Sequence, residues 1–121
     1  MDLRDACILL LEDDALISID AEDMLLGLGA RAVLVAHTLA DAEAFVDGEP
    51  IDAAVLDIRI GSGRSDALAL DLIARGIPFI FTSGYGRASD LAPGAETVPV
   101  VGKPYAAEAL VAAFSGLPAR D

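Results

Sequence analysis

The stretch Cys7-Ile8-Leu9-Leu10-Leu11-Glu12-Asp13-Asp14 is a short apolar run that ends in three carboxylates. An apolar run without polar alternation is typical of a strand buried on both faces of a parallel sheet, although it can also be a piece of buried helix. In open α/β sheets, ligands bind outside the carboxyl ends of the strands. The stretch therefore predicts both a buried parallel strand and a functional site at its end.

Four more apolar runs along the 121-residue chain alternate with segments of helical periodicity. The predicted strands are Cys7–Leu11, Ala32–Ala36, Ala53–Leu56, Phe79–Thr82 and Val98–Val101. The predicted helices are roughly Ala15–Leu28, Leu39–Val46, Ser65–Ala74 and Ala106–Phe114, and the first three are followed by Gly29, Gly48 and Gly76. Asp13 or Asp14 and Ser65 are candidate N-caps, and Pro104 suits the first turn of the last helix. This alternation predicts an α/β fold with helices on both faces of a parallel sheet.

One interval, Tyr85 to Glu96, does not fit this alternation. It contains three Gly or Pro residues and too little apolar periodicity for a normal helix. We expect a loop or one weak turn there.

Composition and length favour a single domain over residues 1–121, without an output domain. The 55% apolar content is enough for one packed core, and the sequence contains no repeat or linker. The first apolar run is too short for a signal sequence or a membrane span, so a cytoplasmic protein is expected.

The formal net charge of −12 argues against nucleic-acid binding, since no Lys/Arg cluster is present to neutralise a phosphate backbone. An acidic surface can equally serve solubility alone. Cys7 lies within an apolar run and is expected to be a buried, inert thiol. His37 has no Cys or second His at ligand spacing and is interpreted as an edge-strand or turn residue.

Polar residues follow the predicted strands where a common edge would collect them. The set comprises Glu12-Asp13-Asp14, Asp57, Ser83-Gly84 and Lys103-Pro104, whereas His37-Thr38 ends an edge strand that we expect to lie away from the site. Clustered carboxylates need a proton or a cation, and Mg²⁺ is the natural ion for oxygen ligands. With such an ion present, one carboxylate can form an acyl phosphate while Lys and Ser donate to the phosphoryl oxygens.

These four blocks, in this order, resemble two-component response regulator receiver domains over nearly the whole chain. The resemblance implies a flavodoxin-like (βα)5 fold in which Asp57 is the phosphoacceptor and Lys103 contacts the phosphoryl group. It also implies that Ser83 supplies the switch hydroxyl and that Glu12, Asp13 and Asp57 hold Mg²⁺. Arg59 would add its backbone carbonyl to the metal, and Asp14, next to the acidic pair, is expected to cap a helix.

The segment Pro78-Phe79-Ile80-Phe81-Thr82-Ser83-Gly84-Tyr85-Gly86 resembles the atypical "FAT GUY" receivers, with Thr82 and Ser83 in place of Ala-Thr. That subgroup lacks an ordinary fourth helix, which agrees with the interval from Tyr85 to Glu96. Ordinary receivers carry an aromatic switch residue three positions before the lysine, where this chain has Val100. Tyr85 is our substitute candidate for the switch, and Thr82 is a further candidate site residue.

The resemblance implies a signalling phosphoacceptor rather than an enzyme with a separate substrate. Its partners would be a histidine kinase or histidine phosphotransfer protein, and a downstream protein that reads the surface of the fourth and fifth strands and the segments after them. One alternative is a degenerate receiver that binds partners without phosphorylation. A second, an aspartyl phosphatase, would need a general-acid aspartate two residues after Asp57, where this chain has Arg59.

Overall fold

The computed structural model describes residues 1–84, 98–103 and 105–118. Seven strands lie in these ranges: β1 (Cys7–Leu11), β2 (Ala32–Ala36), β3 (Ala53–Asp57), β4 (Arg59–Ile60), β5 (Gly63–Arg64), β6 (Phe79–Ser83) and β7 (Val100–Gly102). The helices described are α1 (Ala15–Gly27), α2 (Leu39–Gly48), α3 (Asp66–Arg75) and α4 (Ala107–Ser115). The predicted interval from Tyr85 to Glu96, and Pro104, lie outside the described residues.

Five of the strands form one parallel sheet in the order β2-β1-β3-β6-β7. This order is that of the flavodoxin-like doubly wound fold, in which ligands bind where the strand order reverses, between the first and third strands. The predicted α/β fold with a five-stranded parallel sheet is therefore confirmed. The last strand begins two residues later than predicted, at Val100.

The sheet is buried on both faces because the strands alternate their side chains between two apolar clusters. Leu9 and Leu11 of β1 belong to one cluster, together with residues of α2 and α3. Ile8 and Leu10 point to the other cluster, which includes residues of α1 and α4. The uninterrupted apolar run thus serves two cores, as a strand in the middle of a parallel sheet requires.

The helix boundaries follow local chemistry with one exception. Asp14 caps α1, and its carboxylate accepts from the N–H groups of Leu16 at 2.9 Å and Ile17 at 3.1 Å, as predicted. Gly76 ends α3 in the left-handed conformation, with φ of 72°. Ser65 stands at the N-cap of α3, but the capping bond is absent. Its buried hydroxyl instead donates to the Ile58 carbonyl at 3.4 Å, so Ser65 occupies the predicted N-cap position without making the side-chain capping bond.

A small antiparallel hairpin, β4 with β5, follows β3 and was not predicted. Ile60 pairs with Gly63 across a two-residue turn that begins with Gly61 at φ of 59°. A left-handed residue at this position is what tight hairpin turns require, and glycine adopts it at little cost. Ile58 and Ile60 are buried, which fixes the hairpin to the core beside the end of β3.

None of the helices in the described ranges combines the length and the apolar character that crossing a bilayer requires.

Candidate functional site

The acidic pair, Glu12 and Asp13, lies directly after β1, but its two members differ in environment. Glu12 is 1% exposed, and one carboxylate oxygen accepts from the Asp14 N–H at 3.0 Å. Burial raises the pKa of Glu12 despite the nearby Lys103. Asp13 is exposed, and the Gly61 N–H, donating at 2.8 Å, lowers the pKa of its carboxyl. The turn of the unpredicted hairpin therefore holds Asp13 in place.

Asp57 is the last residue of β3, a strand that lies between β1 and β6. It is 5% exposed, and burial raises the pKa of its carboxyl although Lys103 and the Arg59 N–H favour the charged form. Carboxylate oxygens of Glu12, Asp13 and Asp57 lie within 4.8 Å of one another. The sheet topology thus assembles three carboxylates from distant parts of the sequence.

Lys103 supplies the positive charge that this cluster needs. Its Nζ lies 2.7 Å from Asp57 Oδ2 and 2.6 Å from Glu12 Oε1. Burial disfavours the ammonium, but the bonds with Asp57 and Glu12 outweigh this and raise the pKa of Lys103. The backbone fixes its position, because the Lys103 N–H donates to the Ser83 carbonyl at 2.9 Å.

Thr82 and Ser83 end β6 on the other side of Asp57, and both are buried. Thr82 is the register partner of Asp57, and Ser83 is that of Gly102. The sequence therefore brings a hydroxyl-bearing pair to the same edge as the carboxylates and the lysine.

Three further residues were candidates for the site, and none of them contributes a side chain to the carboxylate cluster in the part of the chain that the structure describes. Asp14 is used as the cap of α1 and does not belong to the carboxylate cluster. Arg59 begins β4 with an exposed side chain, and its N–H bonds to Asp57. Tyr85 lies outside the described residues.

Two residues near the site were not predicted to be there. Tyr105 is 8% exposed, and its pKa is raised by burial and then by the charges of Glu12 and Asp57. The feature of the sequence that could have identified Tyr105 as a residue near the site is its position two residues after Lys103. The His37 ring, at the end of β2, lies with Nδ1 3.0 Å from the Glu12 carbonyl oxygen. We expected the end of β2 to lie away from the site, and that expectation is wrong, because His37 contacts the backbone of Glu12.

The donor set fits a hard divalent cation. Three carboxylates offer oxygen atoms at mutual distances compatible with one ion, and their charge is only partly balanced by Lys103. The site therefore combines a buried carboxylate, a carboxylate cluster that could hold a cation and an ammonium within hydrogen-bond distance, and such a combination is suited to phosphoryl chemistry.

Comparison with solved structures gives relatives over almost the entire chain. SdrG from Sphingomonas melonis Fr1 is 34% identical, with 95% of this chain and 97% of that one covered at a TM-score of 0.77. The BeF3-activated conformation of SdrG from Pseudomonas melonis Fr1 is also 34% identical, covering 93% and 95% at 0.76. A CheY-like receiver domain from Methylobacillus flagellatus is 22% identical, covering 91% and 96% at 0.77. No protein-family model and no curated protein sequence matches the chain.

The strand order and the carboxylate–lysine cluster at the carboxyl edge define the chain as a flavodoxin-like doubly wound α/β protein. Because SdrG is 34% identical over nearly the full length of both chains, the chain belongs to the response regulator receiver domains.

Proposed function

We propose that the chain is a phosphoryl-accepting receiver in which a phosphohistidine of a histidine kinase or phosphotransfer protein donates to Asp57. The observation that carries this proposal is the placement of one buried carboxylate within 2.7 Å of the Lys103 ammonium and beside two further carboxylates. In the reaction, an Asp57 carboxylate oxygen forms a bond to phosphorus while the phosphorus–nitrogen bond of phosphohistidine breaks. The histidine nitrogen leaves with the electron pair and takes up a proton from solvent.

Glu12, Asp13, Asp57 and the Arg59 carbonyl are the groups that would hold Mg²⁺, which would neutralise charge on the phosphoryl oxygens. Glu12 and Asp13 are held ready for this by the Asp14 and Gly61 N–H groups respectively. The backbone of Asp57 is held in the register of the sheet, and its Oδ2 accepts from Lys103 Nζ at 2.7 Å, which positions the carboxylate that would act as nucleophile.

Lys103 and Ser83 would contact the phosphoryl oxygens once the acyl phosphate has formed. Lys103 already lies within hydrogen-bond distance of Asp57, and its backbone is tied to Ser83. A phosphoryl group adds negative charge and three strong hydrogen-bond acceptors. These can shift the equilibrium of a segment between two packings whose free energies differ by about a few kcal/mol. The proposed output is a change at the protein-binding surface formed by β6, β7 and the residues that follow them, with Tyr85 as the switch.

The proposal includes the "FAT GUY" subgroup, a single receiver domain over residues 1–121 and a cytoplasmic location. The sequence from Pro78 to Gly86 supports the subgroup, and the similarity to SdrG, whose activated conformation was obtained with BeF3, supports the receiver function. Beryllofluoride is a tetrahedral stand-in for a phosphoryl group, so activation of SdrG by it is consistent with phosphoryl acceptance here.

The test is intact-mass spectrometry after incubation with a small phosphodonor, with and without Mg²⁺. We expect one phosphoryl adduct that requires Mg²⁺ and is lost in Asp57→Asn. The matched control is Asp47→Asn, which removes a carboxylate paired with Arg75 at the far end of α2 and should leave the adduct unchanged. If wild type gives no adduct with the donor or with candidate kinases, the phosphorylation-independent binding module becomes the better interpretation.

A further inference from the structure

The ring of His37 makes a contact with the site that the proposed reaction does not use. His37 directly follows β2, and its Nδ1 lies 3.0 Å from the carbonyl oxygen of Glu12, which is 25 residues away in the sequence. A carbonyl oxygen can only accept a hydrogen bond, so Nδ1 carries the proton and donates. His37 is therefore bonded to the backbone of the acidic pair rather than to a side chain of the site.

The carbonyl that His37 contacts belongs to the peptide unit that joins Glu12 to Asp13. Neighbouring residues of an extended strand point to opposite faces, so two adjacent carboxylates converge only where the strand geometry is broken. Here β1 ends at Leu11 and the chain bends at Asp13. Carboxylate oxygens of Glu12 and Asp13 then lie within 4.8 Å of each other. The peptide unit between the two residues thus decides whether their carboxylates can share one ion.

Leaving the strand geometry costs this carbonyl its partner in the sheet. The Glu12 N–H still donates to the Ala36 carbonyl at 3.0 Å, but no backbone N–H in the described residues donates to the Glu12 carbonyl. His37 supplies that donor, so the last residue of β2 and the residue after it hold both backbone polar groups of Glu12. Because a peptide unit is planar, fixing its oxygen also fixes the direction in which the chain continues to Asp13.

We propose that His37 is a positioning residue, which orients the peptide unit between Glu12 and Asp13 and thereby holds their two carboxylates in the arrangement that binds Mg²⁺. Partners that orient the ligands of a metal change its affinity without touching the metal. The contacts of the carboxylates with the Asp14 and Gly61 N–H groups fix each side chain separately, whereas His37 fixes the backbone between them. This inference rests on the proposed function, which assigns Glu12 and Asp13 to the metal.

The test compares wild type with His37→Leu and His37→Asn. Leucine removes the donor, whereas the side-chain amide of asparagine places an N–H close to the position of Nδ1. Both replacements are uncharged, so a difference between them reports the hydrogen bond alone. The probe is Mg²⁺ alone, titrated while the amide resonance of Asp13 is followed by NMR. We expect the Mg²⁺ affinity of His37→Leu to fall about fivefold, and that of His37→Asn to stay within about twofold of wild type.

Thr38→Ala is the matched control at the neighbouring position. The exposed Thr38 side chain accepts from the Asp41 N–H at 3.1 Å and caps α2, so its loss should lower the midpoint of urea denaturation. It should leave the Mg²⁺ affinity unchanged. In the absence of Mg²⁺, the amide nitrogen resonance of Asp13 should move in His37→Leu and stay near its wild-type position in His37→Asn, because that nitrogen belongs to the peptide unit that His37 contacts.

Three results would overturn the role of His37: a wild-type Mg²⁺ affinity in His37→Leu, an equal loss in His37→Asn, or an equal loss in Thr38→Ala. The last of these would show that any loosening of the end of β2 weakens the site. If wild type itself binds no Mg²⁺, the proposed assignment of the carboxylates fails together with this inference. A wild type that binds Mg²⁺ and forms the phosphoryl adduct, with His37→Leu of equal affinity, refutes the role of His37 alone.

Discussion

Replacing Lys103 by methionine tests the electrostatics of the site in the folded protein. The substitution keeps most of the apolar stem and removes the ammonium that lies 2.7 Å from Asp57 and 2.6 Å from Glu12. What remains is a pair of carboxylates that are 5% and 1% exposed, with no compensating charge between them.

The expected cost follows from that burial. Removing one partner of a buried ion pair destabilises a protein by about 3–5 kcal/mol. Protonation of one carboxylate relieves part of this, because burial already raises the pKa values of Glu12 and Asp57. We therefore expect Lys103→Met to lose about 3 kcal/mol of unfolding free energy at neutral pH without Mg²⁺, a large share of the roughly 5–15 kcal/mol typical of a domain.

The pH dependence has a definite sign. A carboxyl whose pKa is higher in the folded state than in the unfolded state stabilises the fold at a pH below its unfolded pKa of about 4. This stabilisation is lost as the pH rises through the folded-state pKa. Without Lys103 the pKa values of Glu12 and Asp57 rise further, since each carboxylate then faces the other unshielded. The deficit of Lys103→Met should therefore be largest at neutral pH and shrink towards about pH 5.

The assay is urea denaturation followed by far-UV circular dichroism, at both pH values, with and without Mg²⁺. Mg²⁺ should restore part of the lost stability, because a cation bound by the three carboxylates takes the place of the ammonium charge. Arg75→Met is the control, because it removes a cation that pairs with Asp47 and Asp71 at the surface, and its effect should be small. The reasoning is refuted if Lys103→Met loses no more stability than Arg75→Met, or if its deficit grows as the pH falls.

Three further predictions concern single positions. Asp14→Ala should lower the unfolding free energy by about 1 kcal/mol through loss of the α1 cap, while Asp14→Asn retains most of it in the same denaturation assay. Gly76→Ala should lower the free energy of unfolding by roughly 1–2 kcal/mol. The left-handed backbone alone causes this loss, since an added Cβ would meet no atom within 4 Å, and an unchanged denaturation midpoint would contradict the prediction. In urea titrations without metal, Asp57→Asn should leave the free energy of unfolding unchanged or raise it, because Lys103 then neutralises the charge of Glu12 alone. A clear fall in the free energy of unfolding would instead show that Asp57 stabilises the fold.

The sheet could be predicted from sequence because its three central strands, β1, β3 and β6, are buried on both faces and therefore consist mainly of consecutive apolar residues. The convergence of Glu12, Asp57 and Lys103 followed from the same pattern, since parallel strands end at a common edge. Asp14 was identifiable as a cap because a carboxylate just before a helical segment satisfies its first N–H groups.

The β4–β5 hairpin could not be predicted because two-residue strands carry too little periodicity. Only Gly61 and Gly63 mark it in the sequence, and glycines also occur in irregular loops. Ser65 was placed correctly at the start of α3, but the hairpin brings the Ile58 carbonyl within reach of its hydroxyl, and that tertiary contact replaces the cap.

Tyr105 and His37 were missed for a different reason. In the sequence, a tyrosine near an apolar segment is interpreted as a packing residue. Only the folded structure shows that the Tyr105 hydroxyl is buried and has no hydrogen-bond partner among the described residues. His37 ends β2, and its contact with the Glu12 carbonyl depends on the register between β1 and β2. Neither relationship is encoded in local spacing.

The most direct test of the central claim is chemical trapping of the phosphoryl group at its site of attachment. Borohydride reduces an acyl phosphate of aspartate to homoserine, which peptide mass mapping can locate after treatment with phosphodonor and Mg²⁺. We predict homoserine at position 57 in wild type, and its absence without Mg²⁺ or phosphodonor. Homoserine at Asp13 or another carboxylate, or none at position 57 in a protein that carries the adduct, would contradict Asp57 as the phosphoacceptor.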